Sequence, residues 1–292
     1  MNGYHAGELA VQRRMGQSEI AARVGRMIRT EIPAAAAAFL AEQPLIVLAA
    51  TDDAGRVWAS LVTGPAGFVH ADDDQTIAVG TLPVPGDPLH DVVGRPDQQV
   101  GMIAIEPQTR RRMRVNGIVQ PTQHGLRIHP DQVYSNCPKY ISRRHIEGVD
   151  AAGHSPVIQR ASGLDERTQQ IVARTDTFFI GSADPEGNAD ASHRGGNPGF
   201  LQVLSPNRLR WPDYRGNSMF MTLGNISTNP RCGLLISDWD TGTTIQLTGT
   251  AEIIWDEGPQ CSVEFTIDEV VELTDVSPLR WGRAELSPAN PD

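Results

Sequence analysis

The residues best suited to chemistry lie in the second half of the chain. Ser192-His193-Arg194-Gly195-Gly196 sets a hydroxyl, an imidazole, a guanidinium fork and two glycines side by side. A fork that takes two oxygens, next to glycines that let a ligand approach the backbone, suits a phosphate monoester. A solvated hairpin strand is the plainer alternative. Asp213-Tyr214-Arg215-Gly216-Asn217-Ser218 follows as a polar turn rich in donors, with one aromatic face; an ordinary turn would look the same. Two consecutive loops of a barrel can converge on one ligand, which favours a site. In the first half, Arg110, Arg111, Arg112 and Arg114 form the densest positive run. On a strand Arg110, Arg112 and Arg114 would share one face and Arg111 would take the other, either toward an anion or as a solvated face. Asn136-Cys137-Pro138-Lys139-Tyr140 offers a thiol, an amine and a phenol without a neighbouring base, so it reads as a loop whose Asn136 and Lys139 face a ligand, or as a buried Cys beside a solvated Lys. Neither a Ser-His-Asp pattern nor a carboxylate pair is apparent. Cys137, Cys232 and Cys261 are far apart and odd in number, which argues against a disulfide framework and a zinc site.

The elements that must position these residues are repeated. A shift of 132 positions places Asp52 on Asp184, Gly55 on Gly187, Ala59 on Ala191, Ser60 on Ser192, Gly64 on Gly196, Gly67 on Gly199 and Phe68 on Phe200. The same shift later matches Gly101 with Gly233, Thr109 with Thr241 and Gly117 with Gly249. One register serving two separate blocks indicates a duplicated domain. Each copy opens with a helical stretch (35–42 and 166–174) before a strand (45–50 and 177–181), and each then turns at an Asp-x-x-Gly, where glycine suits a tight hairpin. Further strands are expected at 112–119 and 244–254. The fold class is therefore mainly β: two tandem antiparallel barrels of five to seven strands with peripheral helices, divided as 1–150 and 151–292. Residues 147–156 form the expected linker. The first 30 residues look amphipathic and are expected to pack across the barrels.

Composition bounds the function. The chain has 292 residues and a formal net charge of −10, with 39% hydrophobic, 21% charged and only 5% aromatic residues, 28 Gly and 21 Pro. That balance suits many short elements joined by turns, and it argues against a nucleic-acid surface or a polybasic membrane anchor. An anionic ligand needs a local basic pocket. With no apolar run of membrane-spanning length, the expected compartment is the cytoplasm.

The motifs Asp190-Ala191-Ser192-His193-Arg194-Gly195-Gly196, Trp211-Pro212-Asp213-Tyr214-Arg215-Gly216-Asn217-Ser218, Leu223-Gly224-Asn225-Ile226 and Asn229-Pro230-Arg231 together resemble the pyridoxamine 5′-phosphate oxidase-like FMN-binding split barrels. His5-Ala6-Gly7-Glu8, Arg112-Met113-Arg114-Val115-Asn116-Gly117 and Asn136-Cys137-Pro138-Lys139-Tyr140 look like a two-barrel bacterial branch of that family. The resemblance implies FMN at the seam between two barrels, its phosphate held by Arg194 and by Asn217 and Ser218 in the next turn. Ser192, His193, Asp213, Tyr214, Asn136 and Lys139 complete the implied cofactor set, and Arg111 and Arg112 are the implied substrate contacts. The turn carries Asn217 and Ser218 where the true pyridoxamine phosphate oxidases have basic residues. The implied activity is a flavin-dependent oxidoreductase acting on a small molecule, in a homodimer. A non-catalytic flavin carrier or sensor and a haem-binding split barrel are the alternatives; His193 is the one histidine in the site motif that could serve a haem.

Overall fold

The computed structural model describes residues 3–150 and 156–291. Its first half runs α1 (Ala6–Arg14), α2 (Ser18–Gly25), α3 (Ala34–Ala41), β1 (Leu45–Thr51), β2 (Val57–Thr63), β3 (Val69–Ala71), β4 (Ile77–Val79), α4 (His90–Val93), β5 (Gln98–Glu106), β6 (Arg111–Pro121), β7 (Leu126–Ser135) and β8 (Ile146–Val149). The second half runs β9 (Ile158–Ala161), α5 (Glu166–Arg174), β10 (Thr177–Ala183), β11 (Ala189–Gly195), β12 (Gln202–Ser205), β13 (Arg208–Pro212), α6 (Met221–Thr228), β14 (Arg231–Ser237), β15 (Thr244–Trp255), β16 (Cys261–Leu273) and β17 (Leu279–Trp281). No helix among the described residues is long and apolar enough to cross a membrane.

The two sheets share one topology. The first has the order β2-β1-β5-β6-β7-β4-β3 and the second β11-β10-β14-β15-β16-β13-β12, with β9 added on β16. Registers repeat as well: Leu45 opposes Thr63 and Val47 opposes Ile103, while Thr177 opposes Gly195 and Phe179 opposes Leu235. Even the irregularity recurs, because β6–β7 slips at Asn116/Gly117 and β15–β16 at Thr248/Gly249. A Cβ on Gly117 would stand 2.1 Å from the His129 carbonyl oxygen, and one on Gly249 2.0 Å from that of Thr266. Each bulge therefore demands glycine. The expected hairpins are present too, with Gly55 (φ 72°) and Gly187 (φ 90°) in the left-handed region and their N–H groups donating to the Asp52 and Asp184 carbonyls.

β1 shows how the halves meet. Ile46, Leu48 and Ala50 enter the core of their own sheet, whereas Leu45, Val47 and Ala49 join Phe179, Ala191 and Leu235 in a cluster between the sheets. Burial on both faces explains why the strand has no apolar–polar alternation. At the centre of this seam the approach is backbone to backbone. A Cβ on Gly101 would lie 2.4 Å from the Ala191 nitrogen, and one on Gly233 2.5 Å from the Val57 carbonyl oxygen. β5 thus meets β11 as β14 meets β2, the reciprocal contact that a two-fold axis between the barrels produces.

The N-terminal segment does pack across both halves. α1 lies on α6 with Gly7 against Gly224, where a Cβ on Gly7 would be 2.3 Å from the Gly224 carbonyl oxygen. His5 Nε2 meets Asn225 Oδ1 at 2.9 Å, and Arg29 bridges to Val133 of β7. The expected linker is partly corrected. Glu147–Val149 belong to β8, which pairs with β17 from the end of the chain, because extended backbone there finds an open partner; 151–155 lie outside the described residues.

Gly101→Ala and Gly233→Ala should each destabilise the protein by about 1 to 3 kcal/mol or more, since neither backbone can yield without parting the barrels. Gly94→Ala, whose Cβ would meet only ordinary contacts at 3.5 Å, should leave stability nearly unchanged. Urea denaturation would measure this, and equal effects at the three sites would remove the close approach.

Candidate cofactor site between the barrels

Successive side chains of β11 leave the strand on opposite sides, so His193 turns toward the first barrel and Arg194 toward its own. Arg112, on β6 of the first barrel, donates from one terminal nitrogen to His193 Nδ1 (2.7 Å) and from the other to the Cys137 carbonyl oxygen (2.7 Å). Accepting from a guanidinium makes Nδ1 unprotonated, so His193 is a neutral imidazole with its proton on Nε2. Burial holds its pKa well below the ordinary range, and the charges of Arg112, Arg194 and Arg144 push the same way. Arg114, two residues along β6, forms an ion pair with Asp190, which also accepts from the Tyr134 hydroxyl at 3.3 Å. Arg194 donates to the His193 carbonyl oxygen (3.2 Å) and stands 3.5 Å from Asp213.

Three guanidinium groups therefore converge against two carboxylates. Burial raises the pKa of Asp213 and the Arg194 charge lowers it, burial prevailing. Arg112 is brought down to about 9, by burial first and then by repulsion from Arg114 and Arg194. The buried Nε of each of the three arginines, His193 Nε2 and Asn136 Oδ1 have no hydrogen-bond partner. A positive surplus carrying unused N–H groups is the signature of an anion site.

These groups line a cavity of about 100 Å³ together with Ser192, Asn136, Asp213, Tyr214, Asn217, Ser218 and Tyr140. Tyr140 forms its outer wall, donating from its hydroxyl to the Arg215 carbonyl oxygen (3.0 Å), with its ring centroid 5.2 Å from that of Tyr214. Tyr140 (φ 66°), Ser218 (φ 67°) and Phe220 (φ 58°) all have left-handed backbone. Three such residues around one cavity mark local strain.

Of the residues singled out in the sequence, the structure gathers Ser192, His193, Arg194, Asp213, Tyr214, Asn217, Ser218, Asn136 and Arg112. It does not bring in the other two. Lys139 is exposed outside the cavity, and Arg111 leaves the opposite face of β6, over the Phe39 ring at 4.7 Å, as strand alternation requires. Arg110 also departs from the shared arginine face: it precedes β6 with φ 57°, and its guanidinium binds the Ile141 carbonyl oxygen and Glu285. The two glycines after Arg194 are closely packed by the protein itself, although Gly195 also lines the cavity. A Cβ on Gly195 would lie 1.9 Å from the Tyr140 carbonyl oxygen, and one on Gly196 2.5 Å from the Phe200 ring. Arg114 and Tyr140 are the additions; the alternation of the arginine run was the available signal for Arg114, and nothing local marked Tyr140 as a wall.

The duplication creates an equivalent position on the other side of the seam, and it is closed. The offset takes Arg114 to Gln246, whose Nε2 donates to the Ala59 carbonyl oxygen (2.9 Å), Ser60 Oγ (2.9 Å) and Asp87 Oδ2 (3.0 Å). Asp87 Oδ1 accepts from Ser60 (2.5 Å) and from the Leu89 N–H (2.8 Å). A carboxylate of the chain itself occupies that position, and burial pushes its pKa up to about 6.

Residues 164–266 match a family profile described as pyridoxamine 5′-phosphate oxidase. Among curated proteins none matches. Similar solved structures include a candidate pyridoxamine 5′-phosphate oxidase from Lactobacillus delbrueckii (20% identity, 38% of this chain and 94% of that one, TM-score 0.32). Another is a FAD-binding protein from Mesorhizobium loti (11% identity, 40% and 98%, TM-score 0.29). A third is a heme storage protein from Vibrio cholerae (8% identity, 38% and 95%, TM-score 0.29).

Asp87 generates a pH test. Its folded-state pKa of about 6 lies above the ordinary 3.8, so its contribution to stability is full below pH 4 and is lost as pH rises through 6. The rise corresponds to roughly 3 kcal/mol. Asp87→Asn should flatten this part of the stability profile, followed by chemical denaturation from pH 4 to 7.5; an unchanged slope would contradict the assignment.

Proposed function

We propose, from the match of residues 164–266 to the pyridoxamine 5′-phosphate oxidase profile, that this chain binds one FMN between its barrels and acts as a flavin-dependent oxidoreductase on a small molecule. The observation that carries the reading is the meeting of Arg112, Arg114 and Arg194 around a cavity with unpartnered N–H groups. The donor set fits the phosphate. Arg194 supplies the charge-assisted contact, and Ser192 and Asn217 add a hydroxyl and an amide from neighbouring elements. The cavity's 100 Å³ is below the roughly 300 to 1,000 Å³ of small-molecule sites, so it admits the phosphate while the rest of the cofactor requires the Tyr140 loop and the 213–218 turn to part. The strained backbone at Tyr140, Ser218 and Phe220 is consistent with such a movement.

When bound, FMN would supply two-electron redox chemistry, with the protein providing binding and electrostatics. Arg112 holds His193 in one tautomer, leaving Nε2–H as a fixed neutral donor beside the cavity. Tyr140, latched to Arg215, would keep water out of the closed site. Asn217 and Ser218 stand where the pyridoxamine phosphate oxidases carry basic residues, so their substrate is not carried over. Both walls come from one chain; the expected homodimer would be additional to the site, and the cytoplasm is the proposed compartment.

Arg194→Ala removes a contact worth roughly 1.5 to 3 kcal/mol, which should weaken FMN binding about 10- to 150-fold. Arg215→Ala, at an exposed residue outside the cavity, should cost much less. Fluorescence quenching on titrating apoprotein with FMN reads both, and equal losses would mean the phosphate is misplaced. The same titration should saturate at one flavin per chain, because Asp87 closes the equivalent position; a stoichiometry near two would refute the single composite site.

A further inference from the structure

A second cavity, of about 650 Å³, opens between the segment after α2, helix α3, the start of β6 and the end of β7. Its size falls within the roughly 300 to 1,000 Å³ of small-molecule sites. Phe39, Met113 and Val133 give it an apolar floor, and Met27, 53% exposed, stands at its edge. The lining also includes Arg26, Arg29, Arg110, Arg111 and Arg112, and contains no Asp or Glu. In a chain with a net charge of −10 this is a local inversion of sign.

Contacts fix the Arg111 guanidinium and the Arg29 backbone. Arg111 is fixed over the Phe39 ring at 4.7 Å, so a cation and an aromatic face are presented together. Arg29 is clipped to β7 by two backbone hydrogen bonds, from its N–H to the Val133 carbonyl oxygen (3.0 Å) and back from the Val133 N–H (2.7 Å). Arg26 and Arg29 are exposed, Arg110 is already paired with Glu285, and Arg112 donates to His193 and to the Cys137 carbonyl oxygen, which leaves Arg26, Arg29 and Arg111 as the cations facing a ligand. Arg111 lies 3.9 Å from Glu106, a loose pair.

We propose that this cavity binds an amphipathic organic anion, a molecule with an apolar body and a single carboxylate or phosphate head. The apolar floor gives a bare inorganic anion nothing to bury, and the arginines give a neutral hydrocarbon no reason to prefer this position. A nucleic acid is disfavoured by the chain's net charge of −10. Arg112 and Asn136 line both this cavity and the one between the barrels. The two sites share a wall, but the second does not depend on flavin being the occupant of the first.

The probe is 2-naphthoate, titrated into the full-length protein by calorimetry, with 2-naphthalenemethanol and inorganic phosphate as the neutral and the apolar-free comparisons. Naphthoate should bind, and both comparisons should bind at least about tenfold more weakly, since the anion combines both terms. Arg26→Glu with Arg29→Glu, at exposed side chains where folding is not at stake, should weaken naphthoate about tenfold, and Arg111→Ala should weaken it as well. Arg194→Ala, which addresses the flavin phosphate, should leave naphthoate binding unchanged. The proposal is overturned by no naphthoate binding at millimolar concentration, by equal affinity for the neutral analogue, by indifference to the arginine changes, or by loss in Arg194→Ala, which would move the anion to the site between the barrels.

Discussion

The structure depends on the contact of two backbones across the seam. β5 and β14 can lie against β11 and β2 only because Gly101 and Gly233 carry no side chain, and Gly181 gives similar clearance against Ala49 and Trp58. This proximity lets apolar side chains from both sheets form one cluster, from Leu45 and Val47 to Phe179 and Leu235. It also brings β6 of one barrel within hydrogen-bonding distance of β11 of the other, which is how Arg112 reaches His193. The core and the candidate site thus share one constraint.

A two-fold arrangement offers the same geometry twice, and the chain has used the two positions differently. On one side the offset position holds Arg114 and faces an ion pair with Asp190; on the other it holds Gln246 and faces Asp87. The first side carries surplus positive charge that repulsion and burial make costly without an anion, as the lowered pKa of Arg112 reflects. The second side is closed by its own carboxylate, hydrogen-bonded from Ser60, Leu89 and Gln246. Duplication supplied the scaffold, and a few polar replacements broke its symmetry.

The arginine run of β6 is divided by the strand itself. Arg112 and Arg114 turn to the seam, while Arg111 turns to α3 and the Phe39 ring. A single strand therefore gives both faces of the first sheet a basic character inside an otherwise acidic protein. At the seam the attraction survives the net negative charge because Arg112 and Arg114 are withdrawn from solvent, where screening is weak, whereas Arg111 stays exposed.

The duplication and the hairpin turns are legible in the sequence, the turns because they are local: Gly55 and Gly187 need a left-handed backbone. That Gly117 and Gly249 stand at bulges was settled by the partner-strand carbonyls of His129 and Thr266. The sequence also marked most of the candidate site, because Ser192, His193, Arg194 and the 213–218 turn carry donor types that are conspicuous wherever they fold. What those donors face was settled by packing between distant segments. Strand alternation predicts that Arg111 and Arg112 part, but which face meets the seam depends on how the sheets pack. Gly195 lines the cavity, but the side that lacks a Cβ is taken by the Tyr140 carbonyl from a loop 55 positions away. Lys139 stays in solvent although its neighbour Tyr140 closes the cavity. Residues 147–149 read as linker, yet pair with a strand from the chain's end. In each case the deciding contact joins residues far apart in sequence, and no local pattern encodes the partner's position.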